Sequence, residues 1–146
     1  MNDQDRIEAC QEIIDGFNAG DTKRFRTVLA DNCFYDEVAT QRGCRGADNI
    51  VEFWEGWRKA MSNINGTVTN TMTCGNNVVF EVNWKGTLDG EFTGPTGTIK
   101  PTGKTQMTRA CLVFTTDGDN KIAECKHFFD MFGFMQQVGA LPTTTT

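Results

Sequence analysis

The chain has few of the features that mark a membrane, exported or nucleic-acid-binding protein. Its apolar runs are far too short to span a bilayer, and its charged start, MNDQDRIEACQE, lacks the apolar stretch of a signal peptide. We therefore expect a cytoplasmic protein with no membrane partner. Basic residues number 14 against 19 acidic ones, giving a net charge of −5. No nucleic-acid partner is expected, because phosphate binding needs a clustered basic face.

Metal-binding patterns are scarce as well. The sequence has one histidine, and none of its six cysteines pairs with another at C-x-x-C spacing. A structural zinc site needs clustered cysteine and histidine ligands, so no metal is predicted. Because nothing in the sequence predicts export, small buried thiols are favoured over disulfides.

What is present indicates one packed domain. The 146 residues are 38% hydrophobic and include eleven phenylalanines and three tryptophans, which favours a globular core over disorder. We predict a single domain over residues 1–141 and a frayed tail, LPTTTT, whose last residues 142–146 lie outside it.

Helical spacing dominates the first sixty residues. Asn2 or Asp3 can cap a first helix that Gly20 ends, and Asp21 can cap a short second one. A strand, NCFYDEVA, and a turn, RGCRGAD, come next. A third helix starts near Asp48 and carries an apolar stripe made of Ile50, Phe53, Trp54, Trp57 and Met61.

From residue 66 the apolar period changes to two, which predicts strands over 67–74, 78–88, 104–116 and 121–130. The Gly- and Pro-rich stretch 89–103 predicts a long hairpin between two of these strands. A short helix is predicted at 131–139, after the last strand. Helices followed by strands predict an α+β fold with the helices on one face of a strongly curved antiparallel or mixed sheet. Such a sheet wrapped over three helices forms a cone whose apolar interior suits a small apolar molecule.

Two stretches resemble a known superfamily. FNAGDTKRFRTVLADNCFYDEVATQRGCRGADNIVEFWEGW resembles nuclear transport factor 2-like proteins in its AGD break, its LADN element and its I-x-x-F-W helix. GPTGTIKPTGK, KIAE and D-x-x-x-x-x-Q-Q-x-G are similar to SnoaL-like polyketide cyclases and ester cyclases. This resemblance implies a cofactor-independent cyclase in which one aspartate acts as acid and base, and a homodimer through the open sheet face.

Other branches of the superfamily fit less well. In the ketosteroid isomerases the base is a carboxylate after the LADD element, which aligns with Glu37, beside Asp36. Their two oxyanion donors align with Ile13 and a position near Ala110, so that chemistry is not expected. Limonene-epoxide hydrolases use an Asp-Arg-Asp arrangement, for which Arg109 is available without the acid that should follow it.

Two residues compete for the catalytic role. The resemblance places Asp130 as the acid/base, six residues before the QQ pair, although Asp130 can also simply cap the last helix. His127 lies three positions away, so on a regular strand the two side chains face opposite sides. The face of His127 is the more apolar, and if it lines the pocket, His127 replaces Asp130. The sequence leaves the choice open.

The remaining candidates are predicted to bind the ligand, with Glu81 and Asp36 also in support of the acid/base residue. Glu81 sits on a central strand, where it either faces solvent or serves as a pocket acid, and one of Asp36 and Glu37 should point inward. The predicted binding residues are Tyr35, Asp36, Glu37, Trp54, Trp57, Glu81, Trp84, Arg109 and Phe128. We hypothesise a cyclase or isomerase acting on a polyketide-like carbonyl compound. The alternatives are a non-catalytic binder of a lipophilic ligand and a protein-interaction module.

Overall fold

The computed structural model describes residues 2–94 and 97–141, so the predicted tail at 142–146 lies outside the described part. The helices are α1 (Asp3–Ala19), α2 (Thr22–Arg26), α3 (Ala47–Ala60) and α4 (Met131–Gln137). The strands are β1 (Leu29–Glu37), β2 (Arg42–Arg45), β3 (Asn65–Cys74), β4 (Asn77–Thr87), β5 (Phe92–Gly94), β6 (Gly97–Ile99), β7 (Thr105–Thr116) and β8 (Ile122–Phe129).

Helix ends follow the predicted capping residues. The side chain of Asn2 accepts a hydrogen bond from the backbone N–H of Asp5, and the carboxylate of Asp5 accepts one from the backbone N–H of Asn2, which forms a capping box. Gly20 ends α1 in the left-handed conformation, with φ of 68°. Asp21 then caps α2 through the backbone N–H of Arg24. The local sequence therefore sets the α1–α2 corner.

Six strands form one mixed sheet in the order β2-β1-β8-β7-β4-β3. Only the β1–β8 pair among them runs parallel; the other neighbours are antiparallel. Strands β5 and β6 form a separate hairpin within the predicted excursion, whose tip at 95–96 is outside the described residues. The predicted α+β class with a mixed sheet is confirmed.

The turn predicted over RGCRGAD is wrong. A 3₁₀ turn at Val38–Thr40 and a left-handed Gln41, with φ of 57°, reverse the chain earlier than the glycines indicated. Residues Arg42–Arg45 therefore pair back onto β1 as an antiparallel strand. This early reversal also brings the Arg42 side chain close to the end of β1.

The inner face of the sheet is read from the burial alternation of its strands. On β1, Cys33, Tyr35 and Glu37 are buried, while the residues between them are half-buried. On β8, Cys125 and His127 are buried, whereas Lys126 and Phe128 are exposed. The parallel register pairs Glu37 with His127, which joins two inner faces that are far apart in the sequence.

All six cysteines are free thiols. Cys10, Cys33 and Cys125 are buried, as the preference for small buried thiols predicted, and burial raises the pKa of Cys10 and of Cys33 to about 12. Cys44 and Cys111 are half-buried and Cys74 is exposed, so the prediction fails for Cys74. Among the described residues, no helix is both long enough and apolar enough to cross a bilayer.

Candidate active site

A small internal cavity lies between α1, α3 and the inner face of the sheet. Its volume is about 60 Å³, small beside the ~300–1,000 Å³ typical of pockets for drug-sized ligands. Most of its walls are apolar, with a few polar side chains among them. The lining residues are Ile13, Ile14, Phe17, Tyr35, Trp54, Trp57, Met61, Ile64, Trp84, Gln106, Thr108, Leu112, His127, Phe129 and Phe134.

His127 faces this cavity from β8 and is 8% exposed. Its Nδ1 lies 2.7 Å from the hydroxyl of Tyr35. Its Nε2 lies 3.2 Å from the indole Nε1 of Trp84, which can only donate. The one histidine of the chain therefore has a partner on each ring nitrogen.

Glu37 lies behind Tyr35 and is fully buried. One carboxylate oxygen, Oε2, accepts hydrogen bonds from the Tyr35 hydroxyl at 2.7 Å and from the Trp57 indole at 2.9 Å. The other, Oε1, accepts from Thr40 at 2.5 Å and from the Arg42 guanidinium at 2.8 Å. Burial alone would raise the pKa of Glu37, but the bonds from Thr40, Arg42 and Tyr35 and the nearby imidazole outweigh it and lower the pKa.

The direction of each hydrogen bond follows from these partners. An ionised carboxylate only accepts, so the single proton of the Tyr35 hydroxyl goes to Glu37. The Tyr35 oxygen must then accept from His127, which places the imidazole proton on Nδ1. That leaves a lone pair on Nε2, and the Trp84 indole donates to it. The chain of bonds therefore defines one neutral tautomer of His127.

Burial lowers the pKa of His127 from 6.5 to about 4, against the opposing charge of Glu37. The imidazole is therefore neutral at physiological pH and can accept a proton at Nε2. Burial, the Glu37 charge and the hydrogen bond to Glu37 raise the pKa of Tyr35 well above its usual range, so its hydroxyl keeps its proton. The site combines a fixed anion, a neutral phenol and a neutral base.

A second polar pair lines the cavity from β7. The Thr108 hydroxyl donates to Oε1 of Gln106 at 2.5 Å. Within the described residues, the amide nitrogen of Gln106 has only the sulfur of Met61 as a partner, at 3.4 Å. Sulfur is a weak acceptor, so this buried amide retains most of its donor capacity for another oxygen.

Asp130 lies away from the cavity. Its side chain is exposed and accepts a hydrogen bond from the backbone N–H of Gly133 at 2.8 Å, so it caps α4. Glu81, Arg109 and Phe128 border a shallow groove on the outer sheet face together with Asp130, and Asp36 also lies outside the cavity lining. Of the predicted residues, the structure brings Tyr35, Trp54, Trp57, Trp84 and His127 to the cavity, with Glu37 directly behind them.

Four polar residues of this site were not predicted from the sequence: Thr40, Arg42, Gln106 and Thr108. Gln106 and Thr108 alternate with exposed neighbours on β7, and that period of two was the signal that could have placed them inward. Arg42 was the first residue of the predicted turn RGCRGAD, and Thr40 lay between that turn and the predicted strand. The homodimer predicted through the sheet face and the small-molecule partner stay predictions.

No group of three or more His, Cys, Asp or Glu side chains within 2–94 and 97–141 is arranged to hold a metal ion. The polar groups of the side chains that line the cavity are one imidazole, one phenol, an amide, a hydroxyl and three indoles, of which Trp57 donates to Glu37 and Trp84 to His127. Such a set is suited to hydrogen bonding and proton transfer.

Comparison with known proteins identifies the family. The model of the SnoaL-like polyketide cyclase family matches residues 7–138, most of the chain. The chain belongs to this family. No curated protein matches it. Family membership supports a function of the cyclase or isomerase type, in agreement with the resemblance found in the sequence.

Several solved structures share this fold. A candidate SnoaL-like polyketide cyclase from Jannaschia sp. CCS1 is 20% identical, with a TM-score of 0.84 over 95% of this chain and 94% of its own. TsrD from Streptomyces laurentii is 18% identical, with a TM-score of 0.83 over 97% and 99%. IdmH from Streptomyces antibioticus, a candidate polyketide cyclase, is 19% identical, with a TM-score of 0.78 over 92% and 98%.

Proposed function

We propose that this protein is a cofactor-independent cyclase or isomerase that acts on a small, apolar carbonyl compound with His127 as its acid/base residue. One observation carries the proposal: a neutral imidazole faces an apolar cavity with Nε2 as its acceptor, and a buried phenol and carboxylate hold its other nitrogen. This arrangement is that of an oriented general base.

The proposed reaction is an enolisation followed by ring closure. His127 Nε2 removes a proton from a 1,3-dicarbonyl compound, either from the carbon between the carbonyls or from the O–H of its enol form, and the electron pair of the broken C–H or O–H bond remains on the enolate. The enolate carbon then attacks a second carbonyl carbon of the same molecule, forming the C–C bond. The imidazolium returns its proton to the new alkoxide oxygen, so that no atom is gained or lost. The cavity walls would fold the substrate so that the two carbons meet.

Glu37 and Tyr35 would act as positioning residues. When Nε2 takes a proton, the imidazolium carries a positive charge into an apolar site, which burial disfavours. The fixed negative charge of Glu37 offsets this cost through the Tyr35 hydroxyl, which accepts from Nδ1 and donates to the carboxylate. Neither residue would need to change its protonation state.

Gln106 would bind the carbonyl oxygen on which negative charge develops. Gln106 is 2% exposed, and among residues 2–94 and 97–141 its amide N–H donates to the Met61 sulfur alone. An enolate oxygen is a stronger acceptor than a thioether, so the amide would bind the charged form more tightly than it binds sulfur. Thr108 fixes the amide by occupying its oxygen.

A hydrogen–deuterium exchange experiment tests this assignment. Methyl acetoacetate in D₂O loses its α-protons when a base forms the enolate, and proton NMR measures the rate above the buffer background. We expect His127→Gln to lower the protein-dependent rate about 100-fold or more, because a positioned general base contributes roughly 10²–10⁴-fold.

Asp130→Asn is the matched control, because asparagine preserves the helix cap while removing the charge. We expect this variant to keep the wild-type exchange rate. Loss of exchange in Asp130→Asn with an active His127→Gln would assign the chemistry to Asp130 instead. Absence of any protein-dependent exchange in the wild type, with ligand still bound, would favour the non-catalytic binding domain.

A further inference from the structure

The indole of Trp84 occupies the nitrogen that the proposed chemistry uses. Trp84 comes from the inner face of β4, and its N–H donates to His127 Nε2 at 3.2 Å. Its ring packs edge-on against Phe17, with centroids 5.3 Å apart. Nε2 has one lone pair, so in the empty cavity this acceptor is already engaged.

The surroundings of Trp84 hold the ring in this place. A Cβ atom added at Gly66 would lie 2.5 Å from the ring, so only glycine leaves room for the indole against β3. The side-chain amide of Asn18 then holds Gly66, accepting from its N–H and donating to its carbonyl, each at 2.8 Å. Gly66 therefore packs against the Trp84 ring, and Asn18 fixes the position of Gly66.

We propose that Trp84 is a specificity-determining residue that restricts the cavity to ligands carrying their own hydrogen-bond donor, an enol or phenol O–H. A ligand that reaches Nε2 must displace the indole N–H. A donor-bearing ligand replaces that bond, whereas a purely apolar ligand leaves a buried acceptor unsatisfied.

The cavity volume indicates that a ligand displaces the Trp84 indole and does not bind beside it. At about 60 Å³ it is smaller than the ~150 Å³ cavity that takes up benzene. Trp84 is half-buried, whereas Trp54 and Trp57, which also line the cavity, are buried. Movement of the Trp84 indole would therefore both enlarge the space and free the acceptor. The inference builds on the proposed function, because both concern His127 Nε2, and it names the enol form of a 1,3-dicarbonyl compound as the form that binds.

Phenol and toluene provide a matched pair of probes, because they are nearly the same size and differ in the donor. We expect the wild-type protein to bind phenol at least about 5-fold more tightly than toluene, the discrimination expected when a buried acceptor would otherwise lose its partner. Toluene is the more apolar of the two, so a cavity without this effect prefers toluene. Titration calorimetry measures both affinities.

NMR follows the displacement directly. Phenol should move the indole N–H cross-peak of Trp84, while Nε2 of the single histidine keeps the nitrogen-15 shift of a hydrogen-bonded acceptor. Trp84→Phe, which removes the competing donor, should bind phenol about 2- to 12-fold more tightly than the wild type. Trp54→Phe is the control, because it replaces another tryptophan of the cavity lining with a smaller ring. It should change the affinities for phenol and for toluene by the same factor.

Toluene binding as tightly as phenol, or an unmoved Trp84 cross-peak in the phenol complex, would overturn the inference. If Trp84→Phe does not fold, the affinity ratio and the Nε2 shift of the wild-type protein decide alone. These readouts need no turnover. The inference can therefore fail while His127→Gln still abolishes exchange, and it can hold in a protein without catalytic activity.

Discussion

Replacing Glu37 with glutamine is expected to lower the free energy of unfolding by about 3 kcal/mol, the lower end of the usual cost of breaking a buried ion pair, because Glu37 is fully buried while the Arg42 side chain is 30% exposed. The carboxylate is fully buried and accepts four hydrogen bonds. A glutamine side chain retains one acceptor oxygen, but its NH₂ group would face two of the groups that donate to the carboxylate in the wild type, and those donors would lose their acceptor. Urea unfolding followed by circular dichroism measures the loss.

Glu81→Gln is the matched control for this experiment. Glu81 is the same residue type on a strand of the same sheet, but it is exposed, so its replacement should change stability by less than about 0.5 kcal/mol. Adding Arg42→Gln to Glu37→Gln should recover part of the loss, because the charge left without its partner is removed as well. Equal stability of Glu37→Gln and wild type would contradict the view that Glu37 is the anchor of the site.

The neutral state of buried His127 should make the protein lose stability in mild acid. The pKa of His127 is about 4 in the folded protein and near 6.5 in the unfolded chain. Between these values the unfolded chain binds the additional proton, so the stabilisation present above pH 6.5 is lost as the pH falls toward 4. From about pH 7 to about pH 5 the expected loss is about 2 kcal/mol.

The His127→Gln variant separates the pH dependence of stability that is due to His127 from that due to the carboxylates. Glutamine does not titrate, so the variant should have nearly constant stability over the same interval. The lowered pKa of Glu37 affects stability only below about 4.5, outside the interval. Urea midpoints at several pH values measure both proteins. An equal fall of stability in wild type and variant would show that His127 is not held neutral by burial.

Much of the fold could be predicted because its signals are local. Capping residues at 2, 20 and 21 mark the ends of α1 and α2, and the change of apolar period near residue 66 marks the start of the long strands. The strand Arg42–Arg45 could not be predicted in this way. Its pairing depends on the left-handed conformation of Gln41, which is uncommon for a residue other than glycine. The glycines of RGCRGAD indicated that the turn lies after residue 41 instead.

The site was predicted in part, for a comparable reason. Apolar alternation on β8 favoured His127 as the inward residue, whereas the family resemblance favoured Asp130. The structure places His127 at the cavity and uses Asp130 to cap α4. Strand alternation depends only on neighbouring residues, so it favoured the inward orientation of His127, but it did not decide which face of the strand is inside. Asp130 was chosen only because it matches the family motif, and that match does not define which way its side chain points.

The hydrogen-bond partners of His127 could not be assigned from the sequence, although Tyr35 and Trp84 were among the predicted binding residues. Tyr35 and His127 are 92 positions apart and meet because β1 and β8 pair in parallel, a register that no local pattern encodes. Gln106 and Trp84 reach the same cavity from two further strands. A hydrogen-bond chain of this kind depends on the pairing of several strands, and only the folded structure defines it.

The tautomer and pKa of His127 test the account most directly. Because the chain has one histidine, a long-range proton–nitrogen-15 NMR spectrum recorded across a pH series gives both without ambiguity. We predict a neutral ring protonated on Nδ1 and unprotonated on Nε2, with a pKa of about 4. A ring protonated on Nε2, or one that titrates near 6.5 as an exposed histidine does, would contradict the account.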